Sequence, residues 1–320
     1  MFVLKRNGVR EDVSFDKITA RIRLLCAGLD VDPVLIAQET IQSLYSGITT
    51  SQLDEIAAER AYARAIANPD YAILAVRLIV SNLHKSTAAT FSAATAGVAS
   101  RAPKRLSPRH TAWIAAHAAT LDALIDDAAD YAYDYFGIST LLRTYLIRID
   151  GVVCDRPQYM YMRVAVALYI DDTCDDTTRM SRIAECYTGL SKHYYTHATP
   201  TLINACTTTS QVNSCFLFGM NDNIESIMGT VCDVSLTSKA AGGIGLHASK
   251  IRAAGSTIAT TGGRACGVPR QLTIFNECVK AWNQGGTRMG AMAAYLEIWH
   301  ADVMEFVRLK MPGGHATHAP

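Results

Sequence analysis

The hydrophobic pattern of this 320-residue chain changes period near residue 210, and that switch limits the possible folds more than any other feature. Before it, apolar residues recur at helical spacing. After it, apolar runs such as Ser214 to Met220 alternate with Gly-rich turns at 242–245, 262–263 and 285–286. A 3.6-residue period buries one face of a helix, whereas short apolar runs bounded by turns, with helices between them, mark the strands of an α/β arrangement. The chain therefore reads as a mixed α+β protein with two textures and no internal repeat.

Within the first texture, residues 1–92 form a unit of their own. Phe2 to Lys5 and Glu11 to Val13 flank Asn7-Gly8, a strong hairpin signal. Ser14 or Asp16 caps a helix with Ile18, Ile22 and Leu25 at helical spacing, and a second helix spans Asp32 to Tyr45 and ends at Gly47. A third starts at Thr49 or Thr50 and carries Leu53, Ile56, Ala57 and Ala61, and a fourth has the apolar face Ala72, Ile73, Val76 and Ile79. The result is a hairpin followed by a four-helix bundle. Residues 93–210 read as mostly helical, with helices over 113–128, 138–146, 158–170 and 178–195. Residues 100–110 hold four Lys/Arg, two Pro and no acid, and read as a solvated connection.

Charge narrows the function classes. Thirty Lys+Arg against 29 Asp+Glu give a net charge of +1, so no global field recruits nucleic acid or an anionic membrane. A phosphate-bearing ligand must be held by local groups. No apolar run approaches the ~18 residues of a membrane span; the longest, Tyr71 to Leu83, is broken by Arg77. The N-terminus has basic residues but no following apolar segment, which argues against a signal peptide. Nine cysteines at odd count and wide spacing, with no Cys-x-x-Cys, read as reduced thiols of a cytoplasmic protein without a metal site.

Four segments could carry chemistry. Lys5 and Arg6 precede the tight turn, and Lys17 lies in the first turn of a helix, whose unpaired N–H groups and partial positive charge suit a triphosphate. Three surface cations alone are ordinary. Ala241-Gly242-Gly243-Ile244-Gly245, with Lys239 before it and Arg252 after it, lets backbone approach a ligand, although a plain helix-to-strand turn explains it as well. It matches neither a dinucleotide fingerprint nor a P-loop. Cys215 sits near the start of an apolar strand, where a thiol usually packs and matters only if the strand end lines a cleft. Gln284-Gly-Gly-Thr-Arg-Met-Gly290 could be a ligand-sensing loop or an ordinary surface loop.

In combination these segments are far more specific. The chain resembles the large subunit of class I ribonucleotide reductase of the eukaryotic and large-DNA-virus type. The likeness runs nearly continuously from Met1 to about Lys310 and includes Lys5-Arg6 with Phe15-Asp16-Lys17-Ile18-Thr19, Pro69-Asp70-Tyr71-Ala72, Ser81-Asn82-Leu83-His84-Lys85, Arg156-Pro157-Gln158, Thr196-His197-Ala198-Thr199-Pro200, Ser214-Cys215-Phe216-Leu217, Gly242-Gly243-Ile244-Gly245 and Trp299-His300.

The resemblance implies an ATP-cone regulatory domain at 1–92, a helical segment at 93–210, and the first part of a ten-stranded α/β barrel at 211–310. The implied activity is reduction of ribonucleoside diphosphates to deoxyribonucleoside diphosphates for DNA precursor synthesis. A cone site for ATP or dATP would use Lys5, Arg6, Glu11, Asp12, Val13, Ser14, Phe15, Asp16, Lys17, Thr50, Asp54 and Lys85. Asp54 would face the ribose or base, since an anion beside phosphates is repulsive. Cys215 would be one of two thiols that reduce the ribose 2′ position, with Thr199, Ser214 and Gly243 at the substrate. A second effector site for dNTPs would use Asp222, Asn223, Ile224, Lys239, Arg252 and Ala259, and Gln284, Gly285, Gly286, Thr287 and Arg288 would form the loop that signals from it. Here the chain departs from the pattern. It is one residue short between Cys215 and Ile224 and again in the 284–290 loop, Met289 replaces an expected Pro, and Thr260 an expected Gly.

The same resemblance implies Mg-bound nucleotide effectors, a separate radical-generating small subunit, a thioredoxin- or glutaredoxin-type reductant, and a homo-oligomer in the full-length form. It implies no metal or organic cofactor on this chain and neither nucleic-acid nor membrane partners. Family members are more than twice as long, with the radical-bearing Cys and the second thiol in the remainder. Residues 311–320 do not resemble the family's continuation and read as an unstructured tail. The alternative expectation is therefore a truncated, catalytically inactive remnant that binds nucleotide or a partner protein.

Overall fold

A computed structural model describes residues 1–209, 211–240, 242–282 and 290–311. The chain divides into two compact units, residues 1–197 with 202–210, and residues 198–201 with 211 onward.

The first unit opens with β1 (Phe2–Leu4) and β2 (Arg10–Asp12), antiparallel with Val3 opposite Glu11. Gly8 takes φ +80° in the turn, a conformation glycine adopts without steric cost. Ser14 caps α1 (Phe15–Leu25) by accepting from the Lys17 N–H at 3.4 Å. Asp32 caps α2 (Pro33–Ile41), whose first position is proline. β3 (Ile48–Thr49) pairs in parallel with β1, so the expected hairpin is the larger part of a three-stranded sheet. Thr49 and Gln52 form a reciprocal capping box at the start of α3 (Thr50–Ala63), and α4 (Asp70–Ser86) follows.

The core of this bundle is Ile22, Ile36, Ala57, Ala61, Leu74, Ala75 and Leu78. The face expected for α4 is corrected here. Tyr71, Leu74, Ala75 and Leu78 pack into the bundle, Val76 and Val80 pack with Ile138 outside it, and Ile73 is 45% exposed. α4 is covered on two sides, so its apolar residues form two stripes, and the expected stripe mixed them.

Next come α5 (Phe91–Arg101), α6 (Pro108–Ala116), α7 (Ala118–Leu124), a 3₁₀ turn at Asp127–Ala132, and α8 (Tyr135–Thr140), which runs into a π turn at Leu141–Tyr145. The hairpin of β4 (Arg148–Ile149) and β5 (Val152–Val153) leads to α9 (Pro157–Tyr169), which is buried from Pro157 to Val166, and then to α10 (Asp176–Ser191) and α11 (Thr199–Asn204). Phe91, Leu121, Tyr159, Met160, Met162, Val164, Ile183 and Leu190 form its core.

The 100–110 stretch links α5 to α6 and is mostly exposed, as a solvated connection is, but it is pinned at one point. Leu106 is 3% exposed and bridges to Thr207, Ser107 N–H donates to the Cys206 carbonyl (2.9 Å), and the Thr208 hydroxyl donates to the Lys104 carbonyl (2.8 Å). Backbone groups of 104–107 thus find partners at 206–208 around one apolar anchor, Leu106.

The second unit is a three-stranded parallel sheet, β6 (Cys215–Gly219), β7 (Gly243–His247) and β8 (Met292–Tyr295), in the order β6-β7-β8. Between the strands run α12 (Ile224–Lys239) and α13 (Gly267–Ala281), with α14 (Val303–Arg308) after β8. Ile244, Leu246, Val234, Val268, Leu272 and Phe275 make its core. Phe216, Phe218, Ile244, Leu246, Met292 and Ala294 share one sheet face, and the alternate residues share the other. The α/β alternation read from 210 onward is the observed arrangement.

Candidate functional site

One cavity of about 460 Å³ lies inside the N-terminal bundle. The β1–β2 turn brings Lys5, Arg6 and Asn7, β2 and the α1 cap bring Glu11 to Ser14, and α1 brings Lys17, Ile18, Arg21 and Ile22. α3 adds Thr50, Leu53, Asp54 and Ala57, and α4 adds Lys85. Ten of the twelve residues expected at the cone site line it; Phe15, which is 56% exposed, and Asp16 do not. Both follow the Ser14 cap, at helix positions that point away from the turn.

Five cations, Lys5, Arg6, Lys17, Arg21 and Lys85, face three carboxylates, Glu11, Asp12 and Asp54, an excess of two positive charges in one concavity. Asp54 forms the floor. Arg6 Nη2 donates to Asp54 Oδ2 at 2.9 Å, while Arg21 donates to Oδ1 through Nε (3.2 Å) and to Oδ2 through Nη2 (3.3 Å). Both carboxylate oxygens are thus occupied by guanidiniums, which neutralise the charge expected to repel phosphate. Asp54 instead holds two donor forks side by side. At the rim, Glu11 pairs with Lys5 (3.1 Å) and Lys17, and these ammonium groups hold its carboxyl below the usual carboxylate range. Burial, then the neighbouring Arg21 charge, pushes the Lys85 ammonium pKa down. Sequence reasoning missed Arg21. Its signal was available, since Arg21 lies four residues after Lys17 on one helix and so on the same face.

In the second unit, Ser214, Cys215 and Gly243 come together. Cys215 is opposite Gly243 in the register, Gly243 N–H donates to the Ser214 carbonyl at 2.7 Å, and the Ser214 hydroxyl lies 3.5 Å from Cys215 Sγ. A β-carbon on Gly243 would lie 3.2 Å from the Ser214 carbonyl oxygen and 3.8 Å from Cys215 Sγ, so glycine keeps the space beside the thiol open. Cys215 is exposed rather than packed, because it points to the sheet face opposite the helices. Thr199 opens α11. Two residues later the Thr201 hydroxyl donates to the Val212 carbonyl (2.9 Å), tying this turn to the segment that leads into Ser214.

Asp222 and Arg252 form an ion pair at 2.6 Å, Asn223 caps α12 by accepting from Ser226 N–H (2.8 Å), and Ile224 is 63% exposed. Lys239 ends the same helix, roughly 22 Å along its axis at 1.5 Å per residue, so α12 separates it from Asp222 instead of joining them. Ala259 lies on an exposed loop closed by the Thr257–Arg264 bridge. Gln284 to Arg288 lie outside the described residues. Among the described residues no helix is long and apolar enough to cross a membrane.

Three family models match the chain: the ATP cone domain over residues 1–86, the ribonucleotide reductase all-alpha domain over 131–210, and the ribonucleotide reductase barrel domain over 213–318. The chain is 44% identical to a ribonucleoside-diphosphate reductase large chain of Schizosaccharomyces pombe, over 98% of this chain and 40% of that protein. It is 44% identical to the large subunit of Arabidopsis thaliana (99% and 40%) and 43% identical to that of Vaccinia virus (99% and 42%). The chain thus spans about two fifths of the length of these curated relatives.

Proposed function

The chain belongs to the ribonucleotide reductase large-subunit family, and from that premise we propose that it carries the nucleotide-sensing and substrate-reducing N-terminal part of a ribonucleoside-diphosphate reductase. The observation that carries the regulatory half is the cavity lined by residues from Val3 to Lys85, with five cations around a carboxylate already neutralised by two arginines. Such a pocket takes a nucleoside triphosphate, with ATP and dATP as the ligands the family implies. Lys5, Lys17 and Lys85 supply point charges to the phosphates, and Arg6 and Arg21 supply planar forks. Val3, Ile18, Ile22, Leu53 and Ala57 offer an apolar wall to a base. Asp12 at the rim offers carboxylate oxygen to a magnesium ion carried on the triphosphate.

In the reducing half, replacing C2′–OH by C2′–H consumes two electrons, which a thiol pair supplies as it becomes a disulfide. Cys215 serves as one thiol of that pair, with Ser214, Gly243 and Thr199 around the substrate diphosphate. Asp222, Asn223, Ile224 and Arg252, with Ala259, would bind a second nucleotide effector that tunes substrate choice, read through residues 284–288, while Lys239 at the far end of α12 stands apart from this group. A radical-generating small subunit, a thioredoxin- or glutaredoxin-type reductant and a homo-oligomer complete the proposed system. Equilibrium dialysis with labelled dATP tests the cone reading directly. Saturable binding is expected, weakened about 10-fold or more by Lys5→Ala or Lys85→Ala, since one charge-assisted contact contributes about 1.5–3 kcal/mol. Absence of saturable binding would remove the regulatory role.

A further inference from the structure

The C-terminal end of α4, residues 81–86, is gripped from two sides. From the nucleotide pocket, Arg6 Nε donates to Ser86 Oγ (3.3 Å), Arg6 Nη2 to Asn82 Oδ1, and Arg21 Nη2 to Ser81 Oγ (2.8 Å). These are the two guanidiniums that share Asp54. From the opposite side, Asp130 Oδ2 meets His84 Nε2 at 2.7 Å. Arg156 donates through Nη2 to the carbonyls of His84 (3.1 Å) and Ala88 (2.8 Å) and through Nε to Thr87 Oγ1 (2.8 Å). Asp130 is fully buried and Arg156 is 4% exposed. Their bonds continue inward: Gln158 Nε2 donates to Asp130 Oδ1 (3.1 Å), Tyr187 OH donates to Gln158 Oε1 (3.0 Å), and Arg156 Nη1 donates to Asp127 Oδ1 (2.9 Å). His84, Asp127 and Asp130 present metal-capable atoms close together, but Arg156 and Gln158 already occupy the carboxylates, and the cluster is a polar network.

Residues 81–86 of α4 therefore carry the partners of both pocket arginines and, on their other face, contacts to a buried ionic network reaching α9 and α10. A triphosphate that recruits Arg6 and Arg21 must change their bonds to Ser81, Asn82 and Ser86. This segment cannot answer that change alone, because moving it strains buried charge-assisted bonds that are costly to leave unmade. We propose that the C-terminal end of α4, residues 81–86, transmits nucleotide occupancy of the cone pocket to the helical segment, with Asp130 and Arg156 as the positioning residues that receive it. This rests on the nucleotide reading of the pocket. The coupling is reciprocal by linkage, so a change on the receiving side must also alter nucleotide affinity.

Hydrogen exchange of the whole chain, with and without Mg-dATP, tests the idea. In the wild type, dATP is expected to slow exchange at the pocket segments and also at 126–132 and 156–160. Asp130→Asn is expected to keep binding, with Kd shifted about 3–10-fold, while the remote slowing disappears. Arg156→Lys should do the same, and it stands in as the variant if circular dichroism shows Asp130→Asn unfolded. A structural role alone would lower the melting temperature without removing a nucleotide-dependent signal. Slowing confined to the pocket in the wild type, or remote slowing that survives in the folded variants, overturns the proposal. A wild type that does not bind dATP instead overturns the nucleotide reading, and this inference falls with it.

Discussion

The N-terminal bundle and the β6-β7-β8 sheet solve the same problem, presenting polar chemistry on an apolar scaffold, in opposite ways. The bundle closes around its site. Every wall of the cavity comes from within residues 3–85, and the acidic floor is neutralised by neighbours in the same pocket. The sheet is covered by its helices on one face, where Phe275, Val268 and Leu246 are fully buried, while on the other face Leu217 is 86% and Tyr295 54% exposed beside Cys215. Parallel sheets are ordinarily covered on both faces. A site built from local contacts is complete within its own segment, whereas a site on a sheet face depends on whatever covers that face.

Phe275→Ala, in the helix α13 that covers one face of the sheet, and Leu217→Thr, on the other face, break this comparison most sharply. The first leaves a cavity under the helices and is expected to cost about 3–5 kcal/mol in urea unfolding, against less than about 0.5 kcal/mol for the second. Equal costs would mean that the Cys215 face is covered after all. Next in size, Asp54→Ala leaves Arg6 and Arg21 facing each other without a counter-charge. A buried pair broken in this way costs about 3–5 kcal/mol, and because both arginines are partly exposed (28% and 18%) the expected loss is about 2–3 kcal/mol. A neutral result would make the floor of the pocket dispensable to the bundle.

The smallest effect sharpens the comparison at one proton. Lys85 has a lowered pKa in the free pocket, so it begins to lose its proton below the ordinary lysine range. Phosphate beside it favours the charged form and raises that pKa. Nucleotide binding should therefore take up protons at alkaline pH, more as pH rises toward the usual lysine value, and none near pH 7. Calorimetry in buffers of different ionisation enthalpy measures this uptake, and Lys85→Arg should abolish it.

Much of the site was readable because its determinants are local. Asn7-Gly8, the Ser14 cap and the Thr49–Gln52 capping box each act within four residues, so the elements that carry Lys5, Arg6, Lys17 and Thr50 follow from neighbouring residue types. The apolar run 214–220 likewise marked β6, whereas Gly243 and Gly245, read as part of a turn at 242–245, lie inside β7 because their backbone pairs with β6 and β8. Less readable were features that depend on partners distant in the chain. β3 joins β1 across some 45 residues, Arg21 reaches Asp54, and Leu106 is buried by pairing with Thr207 inside a basic, proline-containing stretch. Asp54 shows the limit most clearly. Like-charge repulsion alone sent it toward a sugar or base, and only the two guanidiniums that meet it in space reverse the sign of its surroundings.

Residue order alone determined the hairpin, the helix caps, the α/β alternation and the cations that a triphosphate needs, because turn chemistry, capping and periodicity act over a few residues. Tertiary structure decided which of those cations share one cavity, which face of the sheet bears Cys215, and that the C-terminal end of α4 stands between that cavity and a buried ionic network. Those outcomes rest on long-range packing, whose energy depends on what meets in space and not on what adjoins in sequence.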